Sequence, residues 1–236
     1  MSTAAIFGAS GGIGRALTEE LAEQGYRVWA GSRSGLAPSA PGIISFAFDL
    51  HDEPSIAAAA RMMESDPPQM IIVATGALTL ADGTGPERSF RKLDPSVMAQ
   101  VLATNTIGPA IVAKHMLPLL PRDSRGIFAA LSARVGSIGD NRLGGWHSYR
   151  ASKAALNMLV RNFAIELARS HKHAVVVGLH PGTVDSALSK PFQSNVPSTK
   201  LFTPELSAER LVGVLYGLTP AESGGVFAYD GEPLPA

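Results

Sequence analysis

Strand-like and helix-like segments alternate along this chain from its first residues, and this alternation most limits the folds it can form. Residues 3–7 are apolar, a glycine-rich turn follows, and the segment from Arg15 onward has the apolar spacing of a helix. Gly25 ends that helix, and residues 26–30 form a second strand. The N-terminal segment is therefore predicted to be a β-α-β unit with two parallel strands.

The same order of segments continues toward the C-terminus. Further strands are predicted over residues 43–48, 70–74, 126–132, 174–180 and 225–229, and helices over residues 53–63, 94–115, 148–169 and 205–216. Asp94 caps its helix before a first-turn proline, and Gly108-Pro109 predicts a kink within it. Residues 182–203 are rich in Ser, Pro and Lys and are predicted to be an irregular loop.

Alternation of this kind predicts an α/β fold, a single-domain Rossmann-type doubly wound parallel sheet with helices on both faces. The 236 residues suit one domain over residues 1–236, and 45% apolar residues can form a large core. Ligands of such sheets bind beyond the carboxyl ends of the strands. The loops that follow the strands are therefore where functional residues are expected.

Composition argues against several classes of function. Lys plus Arg and Asp plus Glu both number 20 without long runs, so no nucleic-acid partner is expected. The chain has no cysteine, and its histidines lack metal-ligand spacing, so no metal site is expected. No signal-peptide pattern is present and no apolar run reaches the roughly 18 residues of a membrane span. We expect a cytoplasmic protein without a membrane partner.

The glycine-rich turn after the first strand is a candidate phosphate-binding loop. Its backbone N–H groups and the positive end of the following helix would face an anion. The spacing Gly-x-x-x-Gly-x-Gly differs from the common dinucleotide fingerprint, and a tight strand-to-helix turn would also explain it. The missing Gly-Lys-Ser/Thr ending argues against a nucleoside triphosphatase. We predict a dinucleotide-binding loop made of Gly8, Ser10, Gly11, Gly12, Ile13 and Gly14.

The residue after the second strand indicates which dinucleotide is bound. An Asp or Glu there would bind the ribose of NAD, whereas a cation suits the additional phosphate of NADP. The chain has Gly31-Ser32-Arg33 at this place. Arg33 therefore predicts a preference for NADP(H), with NAD(H) still possible.

Tyr149 and Lys153 stand four residues apart near the start of a predicted helix, which places both side chains on one face. A free tyrosine has a pKa of about 10, and a nearby ammonium group favours the phenolate form. The sequence therefore predicts a lowered pKa for Tyr149 and a role as proton donor to a substrate oxygen. Such pairs also arise by chance on solvated helices, so the spacing alone does not establish this role.

Five motifs occur in an order that resembles the short-chain dehydrogenase/reductases over essentially the full length. They are Gly8-x-x-x-Gly12-Ile13-Gly14, Asp49-Leu50, Asn105, Tyr149-x-x-x-Lys153 and Pro181-Gly182. The segments 132–138 and 144–149 are most similar to the sniffer-type and C-factor-like subgroup. That likeness implies either carbonyl reduction or a role in cell signalling, and a homodimer or homotetramer.

The resemblance also implies roles for single residues. Asp49 would hydrogen-bond the adenine amino group, and Leu50 would cover the adenine ring. Asn105 would hold a water molecule that links Lys153 to bulk solvent. The nicotinamide amide would be bound by the loop made of Pro181, Gly182, Thr183 and Val184.

Three positions depart from the family pattern. Ala133 stands where the substrate-orienting serine is usual, so Ser132 is assigned that role, with Ser137 as a second candidate. Ala74-Thr75-Gly76 replaces Asn-Ala-Gly, and Thr75 and Gly76 are still expected beside the cofactor. Ser186 replaces a threonine and keeps a hydroxyl for the nicotinamide amide.

Three functional hypotheses follow. The first is an NADP(H)-dependent reductase of an aldehyde or ketone, with Tyr149, Lys153, Ser132 and Asn105 as the catalytic residues. The second is a cofactor-binding signalling protein with weak or no catalysis, and the third is an NAD-dependent oxidation of an alcohol. Residues 186–204 would form the substrate loop, where Phe192 and Leu201 contact an apolar substrate or simply pin the loop.

Overall fold

The computed structural model describes residues 1–194 and 197–235. Seven parallel strands form the central sheet in the order β3-β2-β1-β4-β5-β6-β9. The strands are β1 (Thr3–Phe7), β2 (Arg27–Ser32), β3 (Ile43–Ala47), β4 (Met70–Val73), β5 (Gly126–Leu131), β6 (Ala174–His180), β7 (Thr183–Val184), β8 (Leu201–Phe202) and β9 (Val226–Ala228).

The strand order reverses at the centre of the sheet. From β1 the chain runs outward through β2 to β3, and then returns to place β4 on the other side of β1. Such a reversal leaves a crevice beyond the carboxyl ends of β1 and β4, where ligands of open α/β sheets bind. The glycine-rich loop after β1 opens into this crevice.

Helices cover both faces of the sheet, and the predicted fold class is confirmed. They are α1 (Gly12–Glu23), α2 (Glu53–Met63), α3 (Pro95–Leu102), α4 (Gly108–Met116), α5 (His147–Leu167) and α6 (Pro204–Gly217). One core layer joins the sheet to α2, α4 and α5, with Ile56 and Leu156 fully buried in it. The opposite layer joins the sheet to α1 and α6 through Leu17 and Leu211.

The helix predicted over residues 94–115 is interrupted. Asp94 caps α3 as expected, because its side chain accepts hydrogen bonds from Ser96 N and Val97 N at 2.8 and 3.0 Å. A π-helical turn, Ala103–Ile107, then separates α3 from α4. Pro109 cannot donate to the carbonyl four residues earlier, which is that of Asn105. The predicted kink therefore takes the form of a local change in hydrogen-bond register immediately before Gly108.

The prediction that residues 182–203 have no regular structure was wrong. β7 and β8 pair in parallel, with Thr183 opposite Leu201 and Val184 opposite Phe202. Short 3₁₀ turns, Lys190–Phe192 and Ser198–Lys200, occupy part of the intervening segment. Strands of two residues are too short to show alternation in a sequence. Residues 195 and 196 of the predicted loop lie outside the described residues.

The helical run Pro95–Leu119 is long and apolar enough, by length and composition only, to cross a membrane. The expectation that no segment reaches this length was therefore wrong, because an average over a window tolerates isolated polar residues such as Asn105. In the structure α3 packs against α5, and α4 packs against α2. Core helices of α/β folds pass the same test of length and composition.

Candidate active site

A cavity of about 530 Å³ lies at the carboxyl ends of β1, β4 and β5. Its walls come from the glycine-rich loop, the segment 74–79 after β4, the end of β5, the first turns of α5 and residues 186–188. Tyr149 and Lys153 both line it. The size and position are those of a small-molecule site in an open α/β sheet.

Close backbone packing explains the glycines of the loop after β1. Gly8 has φ +105°, and a Cβ atom placed on Gly14 would lie only 2.1 Å from Gly8 O. Gly8 N and Ala9 N both donate to Gly31 O, at 2.9 and 2.8 Å, which holds the loop against β2. Gly11 has no side chain to cap α1, so the first-turn N–H groups need acceptors from elsewhere. A dinucleotide phosphate would supply them.

Arg33 lines the cavity and its side chain is exposed, at the place predicted for a ligand of the NADP phosphate. Ser10 is exposed on the glycine-rich loop. Asp49 and Leu50 are outside the cavity lining; the Asp49 carboxylate accepts a hydrogen bond from His51 N at 2.9 Å. Leu50 packs beside Gly108, where a Cβ atom would lie 2.3 Å from Leu50 Cγ.

The segment after β4 offers polar groups to a ligand. Thr75 Oγ1 and Thr79 Oγ1 are buried and have no hydrogen-bond partner within residues 1–194 and 197–235. Both residues line the cavity beside the glycine-rich loop. Buried hydroxyls without partners are costly, so their presence here fits a ligand that would hydrogen-bond them. The residues present therefore fit a nicotinamide dinucleotide.

Tyr149 and Lys153 lie on one face of α5, as predicted. Lys153 Nζ donates to Leu131 O at 2.7 Å and lies 5.9 Å from the centroid of the Tyr149 ring. Lys153 is 3% exposed and Tyr149 is 9% exposed. The carbonyl at the end of β5 thus orients the ammonium group, which stands beside the phenol ring at the cavity wall.

The pKa of Tyr149 differs in direction from the sequence-based expectation. Burial raises the pKa of Tyr149 to about 12, and it lowers the pKa of Lys153 to about 8. The expectation of a lowered tyrosine pKa was wrong, because burial removes the hydration that stabilises the phenolate. At neutral pH the Tyr149 hydroxyl is therefore protonated and able to donate.

The shifted pKa of Lys153 makes stability depend on pH. Between about pH 8 and pH 10 the unfolded chain binds more protons than the folded protein, so the free energy of unfolding should rise with pH. The rise is on the order of 2 kcal/mol over two pH units and should be absent in Lys153→Met. Urea unfolding at intervals across this range measures it. Equal slopes in the two proteins would contradict the assignment to Lys153.

Asn105 is fully buried in the π-helical turn and joins the segment after β4 to α5. Its Oδ1 accepts from Ala77 N, and its Nδ2 donates to Ala77 O, both at 2.8 Å. Nδ2 also donates to Ser152 Oγ at 3.1 Å. A Cβ atom placed on Gly76 would lie 3.4 Å from Asn105 Oδ1 and 3.6 Å from Lys153 Nζ. The two side chains therefore approach each other across Gly76.

The serine candidates differ in their surroundings. Ser132 lines the cavity, but its hydroxyl donates to Asn157 Oδ1 on α5 at 2.5 Å. Ser137 Oγ accepts from Asp140 N at 3.0 Å and stands outside the cavity lining. Ser132 is thus the better placed of the two. Sequence analysis missed Asn157, which lies one helical turn beyond Lys153.

The loop after β6 meets the cavity at two places. Pro181 and Ser186 line it, whereas Gly182, Thr183 and Val184 are outside its lining. Gly182 has φ +80°, and a Cβ atom there would lie 2.7 Å from the Phe202 ring. The close packing of β7 on β8 therefore requires glycine at this position. Leu201 belongs to β8, so it pins the loop.

Aromatic side chains stand beside Tyr149. The Trp146 ring meets the Tyr149 ring edge to face at 6.2 Å and the Phe192 ring at 5.1 Å between centroids. Glu87, in the connection between β4 and α3, is buried and bonded to Ser148. Sequence reasoning missed Glu87, because nothing in its local pattern relates it to a helix that begins sixty residues later.

The doubly wound sheet, the glycine-rich loop at its switch point and the buried Tyr149–Lys153 pair define a nicotinamide-dependent oxidoreductase. The chain belongs to the short-chain dehydrogenase family, whose family model matches residues 2–197. The 1-hydroxy-2-glutathionyl-2-methyl-3-butene dehydrogenase of Rhodococcus sp. (strain AD45) is 32% identical over 234 residues, 98% of each chain. The C-signal protein of Myxococcus xanthus is 36% identical over 143 residues, 61% of this chain and 81% of that protein.

Solved structures share the architecture. The carbonyl reductase Sniffer of D. melanogaster superimposes with a TM-score of 0.86 at 23% identity, over 100% of both chains. A short-chain dehydrogenase/reductase from Burkholderia multivorans with bound NADP gives a TM-score of 0.83 at 25% identity, over 100% of this chain and 99% of that one. The resemblance to the short-chain dehydrogenase/reductases is confirmed, with a C-signal protein among the relatives and the Sniffer carbonyl reductase sharing the fold.

Proposed function

We propose that this protein reduces an aldehyde or ketone with NADPH. The observation that carries the proposal is the buried Tyr149–Lys153 pair in a cavity that the glycine-rich loop also lines. Neutral Tyr149 is the form that donates a proton, which suits reduction at neutral pH. The substrate loop is residues 186–204, of which 186–188 line the cavity.

When bound, the nicotinamide cofactor supplies the hydride that reduces the carbonyl carbon. Tyr149 donates its phenolic proton to the substrate oxygen, which becomes the alcohol oxygen. Lys153, oriented by Leu131 O, stabilises the tyrosinate that remains. Asn105 anchors the segment after β4 and provides a second lone pair on Oδ1 for a water molecule beside Lys153.

Ser132 would orient the substrate oxygen. Its hydroxyl donates to Asn157 in this structure, so this role requires the hydroxyl to turn toward the cavity. The glycine-rich loop, Thr75, Gly76 and the segment Pro181 to Val184 would hold the cofactor. Asp49 and Leu50, which are outside the lining of the cavity around Tyr149, would contact its adenine.

Purified protein tested with NADPH against a panel of aliphatic and aromatic aldehydes and ketones checks the proposal. Oxidation of NADPH that depends on the carbonyl compound is the expected result. Cofactor binding by calorimetry, together with no turnover on any member of the panel, would contradict it. That outcome would instead support the signalling alternative, which the Ala133 position and the match to the C-signal protein favour.

The opposite direction of the same reaction is a further candidate. The Rhodococcus relative is by its name a dehydrogenase of a glutathionyl alcohol, and it matches this chain over its full length. In that direction the Tyr149 phenolate would accept the proton of the alcohol hydroxyl. The same residues would serve both directions, so turnover measured with carbonyl compounds and with alcohols decides between them.

Arg33→Ala should weaken the binding of NADPH about tenfold to a hundredfold while changing the affinity for NADH little. One charged hydrogen-bonded contact to the 2′-phosphate, worth roughly 1.5–3 kcal/mol, would be lost. Calorimetric titration of both cofactors measures the change, with Arg61→Ala on α2 as the matched exposed control. An unchanged ratio of the two affinities would refute the role of Arg33.

We also propose that the protein is located in the cytoplasm and forms a homodimer or homotetramer. The exposed face of α5 carries Met158 and Ile165, which are 62% and 51% exposed. Burying such side chains between two copies of the chain would be favourable. Light scattering during size-exclusion chromatography would determine the number of subunits.

A further inference from the structure

The helix that carries Tyr149 has no local cap at its N-terminus. α5 is 21 residues long, and its N-cap residue is Trp146, whose side chain makes no capping hydrogen bond. Trp146 has φ 50° and ψ 43°, in the left-handed region, and Gly144 and Gly145 before it also have positive φ. A bulky residue rarely adopts this conformation, so contacts from elsewhere must maintain it.

Glu87 provides those contacts from the connection between β4 and α3. Its Oε2 accepts a hydrogen bond from Ser148 N at 3.1 Å, and its Oε1 accepts from the Ser148 hydroxyl. Its backbone oxygen accepts from Trp146 N at 2.5 Å. One residue thus binds both Trp146 and Ser148 and takes the place of the missing cap.

The Glu87 carboxylate suits this position electrostatically. The side chain is 7% exposed, and it stands at the positive end of a long helix. Burial acts to raise the pKa of Glu87, but the hydrogen bonds from Ser148 outweigh it and the pKa lies below its usual value. The group is therefore an anion at neutral pH, as a cap for helix N–H groups requires.

The two residues that Glu87 holds are close neighbours of the proton donor. Ser148 immediately precedes Tyr149, and the Trp146 ring contacts the Tyr149 ring and the Phe192 ring. Gly85, two residues before Glu87, lies beside the same Phe192 ring. A shift of Glu87 would consequently move the first turn of α5 and the aromatic wall together.

We propose that Glu87 is a positioning residue of the reductase site. Its hydrogen bonds to Ser148 and to Trp146 N hold the first turn of α5. That turn fixes the Tyr149 hydroxyl and the Trp146 indole relative to the substrate. The predicted effect of Glu87 on kcat rests on the proposed carbonyl reductase function. Its predicted effect on the fluorescence of Trp146 requires only that the protein is folded.

Glu87→Ala removes both side-chain acceptors and should lower kcat for carbonyl reduction about tenfold to a hundredfold, as expected for a misplaced reacting group. The Kd for NADPH should stay unchanged, because Glu87 is not among the residues that line the cavity. Glu87→Gln keeps the shape and one carbonyl oxygen, and should recover most of the lost kcat. Glu222→Ala is the matched control, since the Glu222 carboxylate accepts from the N–H and hydroxyl of Thr219, both at 2.6 Å.

Tryptophan fluorescence gives a second measurement that needs no turnover. The chain has two tryptophans, and Trp146→Phe separates the signal of Trp146 from that of buried Trp29. In Glu87→Ala the emission of Trp146 should shift to longer wavelength and acrylamide should quench it more strongly. Glu222→Ala should leave both properties of Trp146 as they are in the parent protein.

Parent-like kcat and Trp146 emission in folded Glu87→Ala would overturn the proposal. So would equal losses in Glu87→Ala and Glu222→Ala, since these would indicate general destabilisation. If Glu87→Ala fails to fold, Ser148→Ala decides, because it removes the hydroxyl that donates to Glu87, and parent-like kinetics and Trp146 emission in that variant would overturn the proposal. If the parent protein reduces no carbonyl compound, the reductase function fails, and the Trp146 emission alone decides the role of Glu87.

Discussion

Tyr149→Phe is expected to lower kcat for carbonyl reduction by roughly 10²- to 10⁴-fold, the usual contribution of general acid catalysis. The substitution removes only the hydroxyl that would protonate the substrate oxygen, and the ring keeps its contact with Trp146. The Kd for NADPH should change little. Steady-state kinetics and calorimetry on the same preparations measure the two quantities.

Tyr216→Phe is the matched control for this experiment. Tyr216 lies on α6, where its hydroxyl donates to Gln24 Oε1 at 2.5 Å on the protein surface. Burial also raises the pKa of Tyr216, so the two tyrosines share a protonated state at neutral pH. The control should retain full activity. Equal turnover by Tyr149→Phe and the parent would remove Tyr149 from the mechanism.

The second large effect is expected at Gly14. In Gly14→Ala the new methyl group would lie 2.1 Å from Gly8 O. No rotamer change relieves this contact, because the backbone fixes the position of Cβ and Gly8 O is itself a backbone atom. The turn between β1 and α1 must open, so the free energy of unfolding should fall by roughly 3 kcal/mol. Binding of NADPH should be lost, because the N–H groups that would hold its phosphates move.

Gly213→Ala provides the comparison for Gly14→Ala. Gly213 lies within α6, and a Cβ atom there would meet nothing within 4 Å among residues 1–194 and 197–235 beyond its own turn of helix. Alanine has the higher helix propensity, so this variant should be neutral or slightly more stable. Urea unfolding and calorimetric titration of the three proteins measure both effects. Normal NADPH binding by Gly14→Ala would show that the loop does not hold the cofactor as proposed.

The elements that formed where the sequence predicted them are those with strong local signals. Helix α2 and strand β6 have the predicted bounds, and Asp94 caps α3. The buried strands are continuous apolar runs between turn residues, so the local sequence is enough to predict their positions. The ordered motifs then placed the glycine-rich loop, Tyr149 and Lys153 at one end of the sheet.

Other features depend on residues that are distant in the sequence. β7 and β8 exist only because each supplies hydrogen bonds to the other. The direction of the Ser132 hydroxyl depends on Asn157, and the start of α5 depends on Glu87. None of these partners can be identified from spacing, because the fold alone brings them within hydrogen-bonding distance.

Sequence by itself determined the doubly wound sheet, the family and the Tyr149–Lys153 pair, since periodicity and motif order are properties of neighbouring residues. Only the tertiary structure decided the directions in which the pKa values of that pair shift. The four-residue spacing predicted that the Lys153 ammonium group lowers the pKa of Tyr149. In the folded protein burial instead raises the pKa of Tyr149 to about 12 and lowers that of Lys153 to about 8. Hydration is lost through every element packed around a group, so its effect appears only once the chain has folded.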